Sequence, residues 1–408
     1  MAETVAQLAR RAGLDAHIEQ TPGPPLVLAS RAGRASFTLL LYHHYDCTPP
    51  GPWRAWDHEP FQLAERDGAL FGRGVAHGKG PLLAHLHALH TLLEHEGELP
   101  CNVVLLAEGE GLSGSAQLGP ALAQHRAQLR ADACLATAGS RDVNGLPFCY
   151  TGCKGLLQVL LRAEAAREAL PAGLATIVRN PIWRLVGALA SLKGDDEEIK
   201  IAGFYDDVAG PSRRDNTTLR QTNLDEAGRL SAWGLPAFLF DMSGPALSQA
   251  EVTLPTCNIT SVSAGPASDL PLVPTSAQAT LDMQLVPEQQ PARMFELLQQ
   301  HLQSRQFTDV EATALPGGYG SAVTDYDHPL VQHLACAGEI VFGSPLQVLP
   351  AGSFALPLRL LAEALELPTM SLALARASSA IHGPNEHLPL DDLLQHAAVL
   401  MELLRRVG

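Results

Sequence analysis

Two kinds of apolar pattern alternate along the first 150 residues. Unbroken runs such as Thr38-Leu39-Leu40-Leu41-Tyr42 and Val103-Val104-Leu105-Leu106-Ala107 read as buried strands. Apolar residues spaced three and four apart read as helices. MAETVAQLARRAGLDAHIEQ has the spacing of a polar amphipathic helix, closed by the prolines from Pro22 to Pro25. ASFTLLLYHHYD is then a strand that emerges into His and Asp, followed by the Pro- and Trp-rich loop TPPGPWRAWDHEPF and a short hairpin around Asp67-Gly68. The glycines of GRGVAHGKG open a helix whose leucines at 82, 83, 86, 89, 92 and 93 keep to one face, with His90 and His95 turned to solvent. Strand CNVVLLAEGE, helix QLGPALAQHRAQLR and strand DACLATA continue the alternation, which predicts an α/β domain with a largely parallel sheet.

The texture changes after about residue 156. VLLRAEA, a helix at NPIWRLVGALASL, a long polar loop, TCNITSV, AQATLDMQLV, helix PARMFELLQQHLQ and FTDVEATAL describe an α+β insert with an antiparallel sheet. The first texture then returns, with helices VQHLACAGEIV and LPLRLLAEAL, strand TMSLALA and a last helix ending in MELLRRV. The predicted domains are therefore 1–156, an insert over 157–315, and 316–408 completing the first domain.

At 408 residues the length suits two domains. A net charge of -15 argues against a surface that tracks nucleic-acid phosphates. Seven scattered cysteines, with none paired at metal-finger spacing, fit a reduced, cytoplasmic setting. The N-terminal stretch has no apolar core of signal-peptide type, and no apolar run approaches the ~18 residues of a membrane span. The Asn-x-Thr patterns at Asn216 and Asn258 carry no weight in that setting.

In open parallel sheets, ligand sites gather at the carboxyl ends of the strands. Those ends and their loops hold His44 and Asp46, His77 in the glycine-rich turn, Glu108 and Glu110, Ala138, and His382 and Glu386 in IHGPNEH. Imidazoles and carboxylates converging in this way suggest a metal site.

The ordered set also resembles one family. It comprises His44-Tyr45-Asp46, Trp56 to Phe61, Asp67-Gly68, Gly72-Arg73-Gly74, Lys79-Gly80, Glu108-Gly109, Gly114-Ser115 and His382-Gly383-Pro384-Asn385-Glu386. It is similar to the co-catalytic zinc peptidases, the group of glutamate carboxypeptidase, the aminoacylases and the carnosinase-type dipeptidases. GFYDDV, TCNI and LVPEQQP in the insert resemble the carnosinase branch. The resemblance implies a zinc-peptidase-like, mostly parallel α/β domain, interrupted by an α+β lid that mediates homodimers. It also implies a substrate cleft lined by Arg73, Gly352, Ser353 and Asn385.

Departures from the family pattern fall on its chemistry. The Asp that bridges two zinc ions is His77 here. The Glu-Glu pair, general base and then ligand, falls on Gly111 and Leu112, and a further carboxylate ligand falls on Ala138. His44 and His382 remain, with Asp46 in its orienting place. The transition-state His of the insert corresponds to about Leu170, and no His occurs between 126 and 300; the Arg before Leu-Val-Pro is Gln284. Two dications about 3.5–4 Å apart repel by roughly 19 kcal/mol at an effective dielectric of 20, which the family's carboxylates offset and neutral imidazoles do not. Loss of a positioned base alone costs about 10²–10⁴ in rate, and Glu110 is expected to point away from the place of residue 111.

These departures predict a peptidase homologue impaired in catalysis, acting as a binding or assembly module for a peptide-like or amino-acid ligand. The alternative is a hydrolase of dipeptides or N-acyl amino acids using one zinc on His44, His77 and His382. The cofactor expectation is accordingly none or one zinc ion. Strand alternation sends His43 to the face opposite His44.

Overall fold

The unbroken apolar runs become the inner strands of an eight-stranded sheet, in a computed structural model that describes residues 1–265 and 270–408. The chain divides into two compact units, one of Met1–Cys153, Pro211–Thr253 and Ala322–Gly408, the other of Lys154–Gly210 and Leu254–Ser321.

The first unit opens with helix α1 (Ala2–Arg11) and strands β1 (Asp15–Glu19), β2 (Leu26–Arg31) and β3 (Gly33–His44). Helix α2 (Lys79–Glu96), strand β4 (Leu99–Glu108), helix α3 (Leu118–His125), strand β5 (Ala133–Thr137) and the short β6 (Cys149–Tyr150) follow. The sheet order is β1, β2, β4, β3, β5, Thr369–Leu372, β6 and Val348–Leu349. From β4 through Thr369–Leu372 the neighbours run parallel, and β1 and β2 are antiparallel additions at one edge.

Both faces of this sheet are covered, which explains the continuous rather than alternating apolar runs. Leu39, Leu41, Val103, Leu105 and Leu135 pack with α1, α2 and the last helix, Leu390–Val407. Their neighbours Leu40, Tyr42, Val104, Leu106 and Cys134 pack with α3 and helix Leu358–Leu365.

In the second unit an antiparallel sheet runs in the order Thr256–Ala264, Ser276–Leu285, Gly155–Glu164, Val310–Ala314. Its alternating residues, among them Val159, Leu161, Ala279, Leu281 and Met283, bury against helices Pro181–Leu192 and Pro291–Ser304. No helix among the described residues is long and apolar enough to cross a membrane.

Three expectations need correction. The first helix stops at Arg11, because Gly13 takes a left-handed φ of 90° and the chain reverses into β1. The polar stretch between 193 and 255 is not one long loop. Helices Arg213–Arg220, Glu226–Trp233 and Gly244–Thr253 form there, and Pro211–Thr253 packs with the first unit rather than with the insert. Finally, Leu83 leaves the buried face of α2 and is 46% exposed.

Candidate functional site

The parallel register of β3 with β4 sets His44 opposite Glu108, so both strands deliver polar residues to one edge of the sheet. His44 Nδ1 lies 2.8 Å from Asp46 Oδ1. The second Asp46 oxygen accepts the Leu112 amide at 2.9 Å. Burial pushes the Asp46 carboxyl up, but the hydrogen bond and charge of His44, with the Leu112 amide, outweigh it and hold the group below its usual value.

The three imidazoles predicted to converge do so. The His77 ring centroid is 4.7 Å from that of His44, and 5.1 Å from that of His382. Burial, then the neighbouring His44 and His382, hold His77 well below an ordinary imidazole. His382 is also lowered, chiefly by burial. Burial thus disfavours a charge on His77 and His382, with Asp46 as the carboxylate against His44. Among the described residues, no group of three or more His, Cys, Asp or Glu is arranged to hold a metal ion.

Gly111 explains much of this corner. A Cβ built on it would stand 2.5 Å from His44 Cβ and 2.7 Å from His44 Cγ. Real Cβ atoms do not approach that closely, so a side chain at 111 requires His44 to move. Leu112 serves through its backbone amide, and Ala138 is buried among the apolar residues under the sheet. Glu110 turns away as expected: one oxygen accepts the Gln117 amide at 3.1 Å and the other lies beside Gly23. The imidazoles are the donors that could hold a metal here, with the Asp46 carboxylate bonded to His44 rather than turned among the three rings.

The residues assigned to the cleft each have partners within the chain. Arg73 is buried, donating to Glu386 Oε2 at 2.8 Å and to the His382 carbonyl at 3.1 Å, with its guanidinium 5.0 Å from the Trp56 ring. Glu386 also accepts the amides of Gly74, Ala76 and His77. Arg73 and Glu386 therefore clamp the His77 turn to the His382 loop. Asn385 bonds to the Asp57 amide and carboxylate at 2.9 and 3.1 Å, a loop-to-loop tie. Gly352 has no room for a side chain, since a Cβ would meet the Phe354 ring at 2.0 Å. Ser353 Oγ donates to Glu251 at 2.7 Å.

Two buried networks around Glu108 and His43 depend on tertiary partners. Glu108 is buried and accepts from Tyr42 Oη at 2.5 Å and Ser115 Oγ at 2.9 Å; burial raises its carboxyl to about 7 against the pull of those two donors. His43, on the far face of β3, begins a buried chain. Its Nε2 is 2.9 Å from His85 Nδ1, and His85 Nε2 is 3.1 Å from His396 Nε2, which also meets Thr137 Oγ1 at 3.1 Å. Alternation gave the direction of His43; the partners come from α2 and the last helix, hundreds of residues apart in sequence.

The profile of Peptidase family M20/M25/M40 matches residues 40–406. The chain is 27% identical over 251 residues to the human Beta-Ala-His dipeptidase, covering 59% of this chain and 50% of that protein. It is 23% identical over 384 residues to a probable di- and tripeptidase of Saccharomyces cerevisiae, covering 90% of this chain and 42% of that one. The matches thus span roughly half of these two relatives' length. Among solved structures, an M20 family metallo-carboxypeptidase from Sulfolobus solfataricus aligns with a TM-score of 0.91 at 30% identity, over 100% of this chain and 93% of the other. Human carnosine dipeptidase 1 shares the fold, with a TM-score of 0.89 at 20% identity over 100% of this chain and 90% of that one. A profile match over most of the length and a close structural relative at that identity agree: the chain belongs to peptidase family M20/M25/M40.

Proposed function

We propose that this metallodipeptidase-like protein binds a peptide-like or amino-acid ligand in the family cleft and acts as a binding or assembly module, without dinuclear hydrolysis. The observation that carries this reading is the packing of Gly111 on His44, which leaves no room for a base at the place where the family pattern puts one. The lack of carboxylates at Leu112 and Ala138 supports it. The ligand class is taken from relatives that are named dipeptidases. A cytoplasmic location is part of the same proposal, supported by the odd number and scattered spacing of the seven cysteines.

A homodimer through the inserted unit belongs with this reading. Among the described residues the strand Thr256–Ala264 is a sheet edge carrying exposed Ile259 and Val262, and Trp183 on helix Pro181–Leu192 is 75% exposed.

The second reading is a mononuclear hydrolase, favoured by the spacing of the His44, His77 and His382 rings and by the Asp46 carboxylate that orients His44. A zinc ion on those imidazoles would supply Lewis-acid chemistry. Zinc content per chain, measured by elemental analysis after dialysis against zinc, separates the two. The binding reading expects far less than one ion per chain, unchanged by His382→Ala. About one ion per chain, lost in His382→Ala, replaces it with the mononuclear hydrolase.

A further inference from the structure

Glu251 sits in the last turn of helix Gly244–Thr253, where the negative end of the helix dipole disfavours a carboxylate. Its two oxygens are nonetheless each held by a donor. Arg229 Nη1 donates to Oε2 at 2.8 Å and Ser353 Oγ to Oε1 at 2.7 Å. The other arm of Arg229 donates to Ser140 Oγ at 3.1 Å, two residues beyond Ala138, which fixes the guanidinium beside the carboxyl edge of the sheet. The Arg229 ring partner is Trp233, with 5.8 Å from guanidinium carbon to centroid.

Accessibility within this group is uneven. Arg229 is 6% exposed, whereas the Glu251 side chain is 24% exposed and Ser353 lies open to solvent. The space beside them, walled by Tyr150, Leu349 and Gly352, is about 10 Å³, room for one water. A buried guanidinium requires an anion, and its planar donors suit a carboxylate. Here the anion is more exposed than the guanidinium it pairs with, at a helix end that does not favour it.

We propose that Arg229 and Ser353 form a carboxylate seat filled by the chain's own Glu251, and that a ligand's terminal carboxylate competes with Glu251 for it. The identity of that ligand as a cleft-bound peptide rests on the function proposed above; the seat itself does not. Occupied by Glu251, the loop Ala351-Gly352-Ser353 is held closed to ligand.

Glu251→Ala tests the seat. Its thermal midpoint is expected to rise with sodium acetate relative to sodium chloride at equal ionic strength, while the wild type responds equally to both. Arg229→Ala added to Glu251→Ala is expected to abolish that response. An equal response of Glu251→Ala to acetate and chloride overturns the proposal. Should Glu251→Ala fail to fold, Glu251→Gln, which keeps the volume, is judged by the same comparison. Calorimetric titration with β-alanyl-histidine and its carboxyl-terminal amide forms the second arm. The acid should bind Glu251→Ala at least about tenfold tighter than wild type, the worth of one hydrogen bond to a charged group, and the amide should gain nothing. Equal gains for acid and amide refute the competition. Acetate rescue without dipeptide binding by either protein keeps the seat and removes the cleft-binding function instead.

Discussion

Gly111 and Glu108 stand three residues apart on the same acidic run, and each makes a measurable demand on its surroundings. With His44 Cβ only 2.5 Å from where a Cβ would be, Gly111→Glu cannot simply reinstate a base. The expected result is a loss of about 1–3 kcal/mol from overpacking, read by urea denaturation, with no gain in dipeptide hydrolysis. A variant that gained hydrolysis at full stability would show that His44 yields easily. Glu108 has the opposite history: its carboxylate is present but burial raises it to about 7. In the unfolded chain a glutamate titrates near ~4.3. The folded protein therefore holds the extra proton between those values, so this contribution is complete below the unfolded value and fades as pH rises through about 7. Glu108→Gln, which stays neutral, should gain stability relative to wild type on going from pH 5 to pH 8. Urea midpoints at the two pH values decide it, and a constant difference would mean that Glu108 is ionised throughout.

Between elements, the imidazole chain works with the opposite sign. His43 comes from β3, His85 from α2 and His396 from the last helix, and each gap has room for one shared proton. Burial lowers all three, His85 to about 3. Below the ~6.5 of a free imidazole the unfolded chain takes up protons that the folded chain refuses, so stability falls as the solution is acidified. Arg141, close enough to oppose a charge on His396, sharpens this refusal. His85→Leu should cost about 1–3 kcal/mol at pH 7, because its partners lose their bonds. It should also flatten the loss between pH 7 and pH 5 in chemical denaturation; an unchanged slope would place the acid sensitivity elsewhere.

The same scale shows what could be read beforehand. Strands β3, β4 and β5 were legible because burial on both faces leaves unbroken apolar runs; the end of β3 places His44, and its meeting with His77 and His382 was implied by the family resemblance. Helix Arg213–Arg220 was not, because RRDNTTLR buries only Leu219 and depends on the Ser212–Asp215 capping box. The function of Arg73 in clamping two loops was hidden too, since Glu386 is its partner from the far end of the chain. Residue types mark the candidate cluster; the pairing of buried charges depends on tertiary neighbours that periodicity does not report.

For the whole molecule, the proposed homodimer draws on exposed apolar side chains of the insert. Alongside Trp183, Ile177 is exposed, as is Val262 on the free strand edge. Stable interfaces bury about 1,200–2,000 Å² in total and centre on such large apolar side chains. Light scattering behind size exclusion should give the mass of two chains for the wild type and of one for Trp183→Glu. A wild type that stays monomeric at micromolar concentration would remove the dimer from the proposed function.

The sheet order also bears on how the chain is made. Strand Thr369–Leu372 lies between β5 and β6, pairing with both, although more than 200 residues of synthesis separate it from them. Until it emerges, the growing chain offers the apolar edge of β5 with no neighbour on one side. Such an edge recruits other strands. The nascent protein is therefore expected to lean on chaperones until strand Thr369–Leu372 arrives, and chains cut short before Thr369 should aggregate rather than fold into a smaller version of the first unit.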